Sequence, residues 1–142
     1  MVALTLNHPL FFQQHYVSLT NCHYKKILMP THSETKILKY QPEQMFELVA
    51  DVDSYPQFLP WCSASRIHSR SFIENNEVLE ADLVISFKVF REKFGSKVTL
   101  MRSENQIITE YIDGPFKRMY SKWRFKSVNN GSEVSFYVDF EM

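Results

Sequence analysis

The sequence contains few of the residues on which recognisable enzyme motifs depend. Only three glycines occur in 142 residues, and there is no phosphate-binding glycine loop, GxSxG elbow or HExxH motif. The two cysteines, Cys22 and Cys62, lie far apart, so neither a disulfide framework nor a zinc site is indicated, and a reducing compartment is favoured. No apolar run approaches the roughly 18 residues of a membrane-spanning helix.

Acidic and basic residues balance in this chain. Sixteen lysine and arginine residues match sixteen aspartate and glutamate residues. A neutral chain has no global field that attracts nucleic acid or an acidic partner, so any such binding depends on a local patch. We therefore expect no DNA partner.

The residue types that carry catalysis elsewhere have no partners at useful spacing here. Asp51 and Asp53 lie at i and i+2, so they do not share a helix face, and they end a helix more plausibly than they form an acid–base pair. His68 has no nucleophile or metal ligand at a recognisable spacing, and Cys62 has no neighbouring base to activate its thiol. We therefore predict a protein that is not an enzyme, with no catalytic residue, metal or cofactor.

Residues 1–28 differ in composition from the rest of the chain. They contain no Asp, Glu or Arg, and their only basic side chains besides histidine are Lys25 and Lys26. Transit peptides are normally rich in Arg, and the apolar patch Leu10-Phe11-Phe12 is too short for a secretory signal. We favour an upstream extension without a fold of its own, before a true start at Met29, over a transit peptide. Residues 29–142 then form one domain.

The stretch Gln41–Cys62 combines a helix with an apolar loop. Pro42 suits the first turn of a helix, and Glu43 suits the positive end of the helix dipole. Apolar residues at i, i+3, i+4 and i+7 predict a helix that ends near Asp51. The stripe consists of Met45, Leu48, Val49 and Val52. Because Tyr55 precedes a proline, we expect irregular backbone there rather than helix.

The remainder of the chain has the alternation of a β-sheet. A short strand at His32–Tyr40 precedes the helix, and almost every segment after Trp61 alternates with a period of two. The clearest strands are Glu77–Phe87, Glu92–Met101, Gln106–Ile112, Lys117–Lys126 and Val134–Glu141, separated by turn sequences that include Asp113-Gly114-Pro115 and Asn129-Asn130-Gly131. About seven strands and one long helix predict an α+β domain, a curved antiparallel sheet with helices on one face.

One helix can cover only part of the apolar face of such a sheet. The apolar faces of the strands from 117 onward would then be presented to water, and a large exposed apolar face normally marks a binding site or an absent element. The residues concerned are Met119, Trp123, Phe125, Phe136 and Phe140. A ligand, a partner or a further C-terminal helix is expected to cover them.

Four segments resemble a known family. They are QMFELVADVDSYPQFLPWCSASR, EADLVISFKVFREKFGSKVTL, DGPFKRMYSKWRF and SEVSFYVDF. In this order and spacing they are similar to the coenzyme Q-binding protein family of START-like domains, within the polyketide cyclase and lipid-transport superfamily. The resemblance covers the chain from about Met29 to its last residue.

The resemblance implies a helix-grip fold, in which a curved antiparallel sheet wraps a long C-terminal helix around an apolar cavity. It implies ubiquinone or a similar isoprenoid lipid as the bound ligand, in support of respiration, although START-like folds also host cyclases. Bacterial relatives are named ribosome association toxins, which implies binding to the large ribosomal subunit as an alternative. No sequence for a long helix follows Glu141-Met142, so we expect a truncated gene or a fragment.

A lipid site needs a deep apolar slot and an entrance that opens at a membrane. We predict that Phe58, Leu59 and Trp61 form the lip, because prolines hold this greasy segment in irregular structure and tryptophan suits a membrane interface. Simple packing is an equal alternative for the lip. The predicted wall consists of Met119, Trp123, Phe125, Phe136, Val138 and Phe140, with Leu83, Ile85 and Phe87 further along the sheet. For each residue of the wall, ordinary core is the competing interpretation.

The strand 117–126 has a basic face with no acidic residue in it. Its members are Lys117, Arg118, Lys122, Arg124 and Lys126. We predict a docking surface for anionic lipid head groups or for ribosomal RNA phosphates, where Tyr120 would stack on a base. A solvated sheet face is the alternative.

These observations predict a non-enzymatic carrier of ubiquinone or a related prenylated lipid, bound as a ligand rather than as a cofactor. The expected location is the bacterial cytoplasm, peripheral to the inner membrane, with the matrix side of the mitochondrial inner membrane as the alternative. The rival function is a ribosome-associated toxin that inhibits translation.

Overall fold

The computed structural model describes residues 31–58, 62–87 and 90–141. Seven strands in this part of the chain form one antiparallel sheet. They are β1 (Thr31–Leu38), β2 (Cys62–Ile73), β3 (Asn76–Phe87), β4 (Phe90–Met101), β5 (Gln106–Asp113), β6 (Arg118–Val128) and β7 (Gly131–Glu141). The spatial order is β1-β7-β6-β5-β4-β3-β2, so β2 to β7 form a meander and the first strand pairs with the last. The predicted α+β class with an antiparallel sheet is confirmed.

Helix α1 (Pro42–Ala50) lies against β5, β6 and β7. The side chain of Gln44 accepts a hydrogen bond of 2.9 Å from the backbone N–H of Gln41, which satisfies one of the free donors at the helix start. Met45, Phe46 and Val49 are buried on the sheet. The predicted helix is thus confirmed, and we call the face of the sheet that it covers the inner face.

The segment after α1 differs from the prediction. Val52–Ser54 forms a 3₁₀ turn and Tyr55–Phe58 forms a short helix, α2. Tyr55 has φ −51° and ψ −42°, which is helical although a proline follows it. Its hydroxyl donates a hydrogen bond of 2.6 Å to the carbonyl oxygen of Val49. This hydrogen bond to a residue six positions earlier holds Tyr55 against the end of α1 despite the local preference of a residue before proline, so the expectation of irregular backbone at Tyr55 was wrong.

The aromatic side chains of the inner face are covered. Trp123, Phe125 and Phe136 are buried, so the expectation that they would be presented to water was wrong. At Phe125 the cover is α1, because the ring of Phe46 meets it edge-on with centroids 5.7 Å apart. Helix α1 therefore buries the part of this face around Phe125.

Arg102 connects α1 to the turn between β4 and β5. Its Nε donates to Glu47 of the helix at 2.9 Å, and one of its terminal nitrogens lies 3.3 Å from Glu77 of β3. The guanidinium also lies 5.5 Å from the centre of the Phe46 ring, where a cation–π contact forms. The group therefore clamps the helix over one end of the sheet.

Arg102→Ala should lower the free energy of unfolding by about 1 kcal/mol in low salt. The two ion pairs are half-exposed and stabilise the fold little, and the cation–π contact with Phe46 adds to them. The loss should shrink in high salt. Urea unfolding at two salt concentrations measures both effects. Arg66→Ala is the matched control, because Arg66 is exposed and has no ion pair within the described residues; an equal loss in that variant would contradict the clamp.

Candidate functional site

An aromatic wall occupies the inner face of β6 and β7. Trp123 lies opposite Phe136 in the sheet register, and their ring centroids are 4.4 Å apart. Val138, two residues further along β7, is buried on the same face. Met119 is half-buried at the end of the same surface. The structure therefore brings these four predicted ligand residues together.

Leu83 and Ile85 lie on the same face but away from that wall. They belong to β3, and β4 and β5 separate them from β6. Leu83 lies opposite the buried Phe94 of β4. Leu83 and Ile85 thus lie further along the inner face than the aromatic wall, as the sequence predicted.

Phe125 contributes to the fold more than to a surface for a ligand. Its ring is stacked parallel to Trp123 at 6.2 Å and meets Phe46 of α1 at 5.7 Å. A ligand would have to displace the helix to reach it. We therefore assign Phe125 to the core beneath α1.

The predicted lip is only partly described. Phe58 is half-buried, and its ring lies 5.7 Å from Tyr55 in an edge-on contact. Leu59 and Trp61 lie outside the described residues, as do the side chains of Phe87 and Phe140. The role of this stretch as an entrance stays a prediction.

Three polar side chains of β1, His32, Glu34 and Lys36, also face inward, and Lys36 lies opposite the buried Val134. His32 and Glu34 lie opposite Val138 and Phe136, so they share the inner face with the aromatic wall. His32 Nε2 is 3.5 Å from the Glu34 carboxylate, and the two side chains are only 20% and 16% exposed. The alternation of β1 placed His32 and Glu34 on one face of the strand, but the opposite face carries the apolar Ile37. The sequence of β1 therefore did not show which of its two faces is buried, and sequence reasoning missed both residues.

The thiol of Cys62 is not an activated nucleophile. The side chain is buried at the start of β2, and its Sγ lies 3.4 Å from the carbonyl oxygen of Ala64. Burial raises the pKa of Cys62 to about 11, and burial likewise raises the pKa of the nearby Tyr55 phenol above its usual value. Both groups stay protonated at neutral pH, which is unsuited to nucleophilic or basic catalysis. Within the described residues no group of His, Cys, Asp and Glu could hold a metal ion.

His68 lies at an irregularity in β2 that sequence reasoning did not predict. The register with β3 shifts between Ile67 and Ser69, and the extra residue is His68. Its Nε2 lies 2.6 Å from the carboxylate of Asp82, which Lys93 also approaches at 3.3 Å. Asp82 is on the face of the sheet opposite α1, which we call the outer face. His68 is therefore remote from the aromatic wall.

This cluster predicts a pH dependence of stability. Burial alone would raise the pKa of Asp82, but the hydrogen bonds and charges of His68 and Lys93 outweigh it and lower that pKa. An Asp whose pKa is lower in the folded protein stabilises the fold above its unfolded pKa of about 3.9, and this contribution is lost as the pH falls through the folded pKa.

Asp82→Asn should therefore be less stable than the native protein near neutral pH, and the difference should shrink between about pH 5 and about pH 2. Urea unfolding across that range measures it. Glu80→Gln is the matched control on the same strand, because Glu80 is exposed and forms no ion pair with the rest of the described chain. A pH-independent difference for Asp82→Asn would contradict the assignment.

The basic face of β6 lies on the outer face and divides into two groups. Arg118 lies 3.4 Å from Asp139 and 3.7 Å from Glu141 of β7, and Lys117 lies 3.7 Å from the same glutamate. Lys122, Arg124 and Lys126 form no ion pair within residues 31–58, 62–87 and 90–141. Of the five predicted docking residues, Lys122 and Arg124 have neither an ion pair within the described residues nor a carboxylate directly opposite, whereas Lys126 lies opposite Glu133 of β7.

The architecture defines the class of protein as a START-like domain of the helix-grip type. The solution structure of an 18 kDa protein from Caulobacter crescentus superposes with a TM-score of 0.70 at 34% identity, covering 80% of this chain and 76% of that one. An aromatase/cyclase from a Streptomyces species superposes with a TM-score of 0.68 at 17% identity, covering 79% and 67% of the two chains, a likeness of fold alone.

Family membership follows from the sequence match. The family described as polyketide cyclase / dehydrase and lipid transport matches residues 38–142, and this protein belongs to it. A ribosome association toxin, RatA, of Rickettsia prowazekii is 43% identical over 80% of this chain and 77% of its own length. Coenzyme Q-binding protein COQ10 homolog B of Xenopus laevis, named as mitochondrial, is 31% identical over 77% of this chain and 43% of its own length.

Within the described residues, no helix is long and apolar enough to cross a bilayer.

The match to the family model confirms the family that the sequence resembled. The relatives carry the names of both functions that the sequence predicted. Neither name describes a catalyst, whereas the more distant structural relatives include cyclases.

Proposed function

We propose that this protein binds ubiquinone or a similar prenylated lipid at the inner face of its sheet and carries it without covalent change. The aromatic wall of Trp123, Phe136 and Val138 is the observation that carries this proposal, because it supplies a continuous apolar surface of the kind that surrounds buried lipid. Relatives named for coenzyme Q binding support the choice of ligand.

The polar pair on β1 gives the proposed site a second property. A quinone has an apolar tail and a head whose oxygens accept hydrogen bonds, so its site needs a few polar groups beside the apolar wall. His32 and Glu34 lie beside Phe136 and Val138 in the register. A lipid tail on the aromatic wall would place its head group near this pair.

A carrier role agrees with the chemistry of the nearby groups. The buried Cys62 thiol has a raised pKa, and His68 is engaged with Asp82 on the outer face. We propose that the lipid is bound as a ligand, that the protein contacts a membrane peripherally to exchange it, and that it acts in the bacterial cytoplasm or on the matrix side of the mitochondrial inner membrane.

Trp61→Phe leaves Trp123 as the only tryptophan of the chain, and its fluorescence should report the ligand directly. Titration with a short-chain ubiquinone should quench the emission of Trp123 with saturation, because a quinone on the wall would contact the indole. Oleate serves as the control for a lipid without a quinone head. Quenching that never saturates, together with an organic extract of the purified protein that holds no quinone by mass spectrometry, would refute the proposal.

A second candidate function is ribosome association. It is favoured by Lys122 and Arg124 of the outer face, which have no carboxylate opposite them, since phosphate contacts supply a large share of the affinity for nucleic acid. The relatives named ribosome association toxins, at 43% and 33% identity, also favour it. Such a protein would bind the large ribosomal subunit and inhibit translation.

Lys122→Glu combined with Arg124→Glu should abolish sedimentation with ribosomes and leave the quinone content of the protein unchanged. The reason is that both charges lie on the outer face, away from the aromatic wall. Lys97→Glu is the matched control, because Lys97 is on the outer face of β4 and lies opposite both Glu80 and Glu110. Unchanged sedimentation of the double variant would remove this candidate.

A further inference from the structure

Two tyrosines form an exposed aromatic pair on the outer face. Tyr120 of β6 and Tyr137 of β7 are 37% and 38% exposed. Their ring centroids are 6.4 Å apart and the rings are inclined at 61°. The sequence pointed to Tyr120 alone, because only the pairing of β6 with β7 brings Tyr137 beside it.

The positive charges next to these rings have neutral neighbours. Lys122 lies between Tyr137 of β7 and Ile108 of β5 in the register. Arg124 lies between Ser135 of β7 and Gln106 of β5. No carboxylate is directly opposite either residue. The carboxylates of Glu110 and Asp139 lie opposite Tyr120 instead, and Asp139 is paired with Arg118. Lys122 and Arg124 are therefore available to an anionic partner.

Hydroxyl and amide groups complete the surface. Ser135 Oγ lies 3.3 Å from Thr35 Oγ1 of β1, and both lie in line with Arg124 and Gln106 across the sheet. Such groups donate to and accept from phosphate oxygens and base edges. We call the surface made by these side chains the outer platform: Tyr120, Tyr137, Lys122, Arg124, Ser135, Thr35 and Gln106.

We propose that the outer platform binds single-stranded RNA, with unstacked bases on Tyr120 and Tyr137 and phosphates on Lys122 and Arg124. This inference rests on the second candidate function and adds which component of a ribosome the surface recognises. A sheet face that carries exposed aromatic rings and cations is the combination that other sheet proteins use for single strands, because every base offers a π face.

The same features argue against the other anionic partners. A lipid head group or a nucleic acid duplex satisfies the cations through phosphates but leaves the two rings without a stacking partner. A ribosomal protein supplies neither bases for the rings nor phosphates for the cations. Because the two rings lie on neighbouring strands, two adjacent nucleotides whose bases are splayed apart can each stack one base on one ring.

The aromatic part of the proposal is tested by fluorescence anisotropy with a labelled mixed-sequence oligoribonucleotide, alone and annealed to its complement. The double variant Tyr120→Leu with Tyr137→Leu should weaken single-strand binding by about tenfold or more, because stacking supplies much of the affinity. The double variant with Phe at both positions should bind within about twofold of the native protein. Phe72→Leu removes an aromatic ring that is 73% exposed at the far end of β2 and should change nothing.

The charged part is tested in the same assay by varying the salt concentration. Lys122→Ala with Arg124→Ala should reduce the slope of log K against log salt by about 1.4, since each phosphate contact to a single strand contributes about 0.7. Lys97→Ala is the control and should leave the slope as it is. Far-UV circular dichroism of each variant verifies that the sheet is intact.

Some outcomes separate this inference from the function on which it rests. If the native protein sediments with ribosomes but binds the free strand no better than the duplex, the outer platform does not recognise single-stranded RNA and ribosome association stands. If the leucine double variant binds the strand as tightly as the native protein does, stacking is refuted. If the native protein neither sediments nor binds the strand, both proposals fail.

Discussion

Phe46→Ala should lower the free energy of unfolding by about 3–5 kcal/mol, the range for a large aromatic side chain removed from a packed core. Phe46 is buried between the sheet and the guanidinium of Arg102, and its ring meets Phe125 edge-on at 5.7 Å. The variant loses the transfer energy of the ring and leaves a cavity under α1. Its helix should also exchange amide protons faster than the strands do.

Urea unfolding with hydrogen exchange measures this effect. Phe72→Ala removes the same ring from a site that is 73% exposed, so its stability should change by no more than about 0.5 kcal/mol. Similar losses in the two variants would show that α1 does not hold the inner face together.

Gly131→Ala should destabilise the protein by about 1–3 kcal/mol or more, because the added methyl group has no room. Gly131 begins β7 and is buried against the end of β1. A Cβ there would overlap the carbonyl group of Leu38 and lie 3.1 Å from the Cα of Lys39. These are backbone atoms, so the strain can be relieved only by moving β1 away from β7.

The comparison is Gly95→Ala, where the atom met first belongs to the Asp113 side chain, whose carboxylate can rotate away. We expect a smaller loss for that variant. Amide exchange distinguishes them further, because only Gly131→Ala should expose the amides of β1. Equal losses with β1 still protected would show that the contact with Leu38 is not the cause.

The two faces of one sheet carry the two candidate functions. The aromatic wall and the polar pair of β1 lie on the inner face, whereas the outer platform lies on the opposite face of the same strands β6 and β7. Alternation along a strand separates the faces, so a substitution at Lys122 leaves Trp123 in place. Lipid binding and RNA binding are therefore expected to respond to different variants.

The strands were predictable because their alternation is a local property. Residues at i and i+2 share a face of any strand, so the inner positions Leu79, Leu83, Val98, Trp123 and Phe136 follow from the sequence alone. Helix α1 was predictable for the same reason, from the proline at its start and its stripe of apolar residues. The segment at Tyr55 was not predictable, since a hydrogen bond to Val49 overrides its local preference.

The candidate sites were less predictable than the fold. The wall residues of β6 and β7 were identified because they are apolar on a half-buried strand. His32 and Glu34 were missed, since β1 is short and its two faces look alike until its pairing with β7 is known. Within the predicted docking set, Arg118 forms ion pairs with Asp139 and Glu141 of β7, which the sequence of β6 alone does not reveal.

The sequence by itself determined most of the elements and the apolar face of the strands, because periodicity acts over a few residues. It indicated the family through the resemblance of four segments, which periodicity and composition do not supply. Only the tertiary structure decided which strands are neighbours, and so which side chains meet. It placed β1 beside β7, turned His32 and Glu34 toward the aromatic wall, brought the ring of Tyr120 beside that of Tyr137 and left no carboxylate opposite Lys122 or Arg124. These outcomes depend on contacts between residues far apart in the chain, which local pattern does not encode.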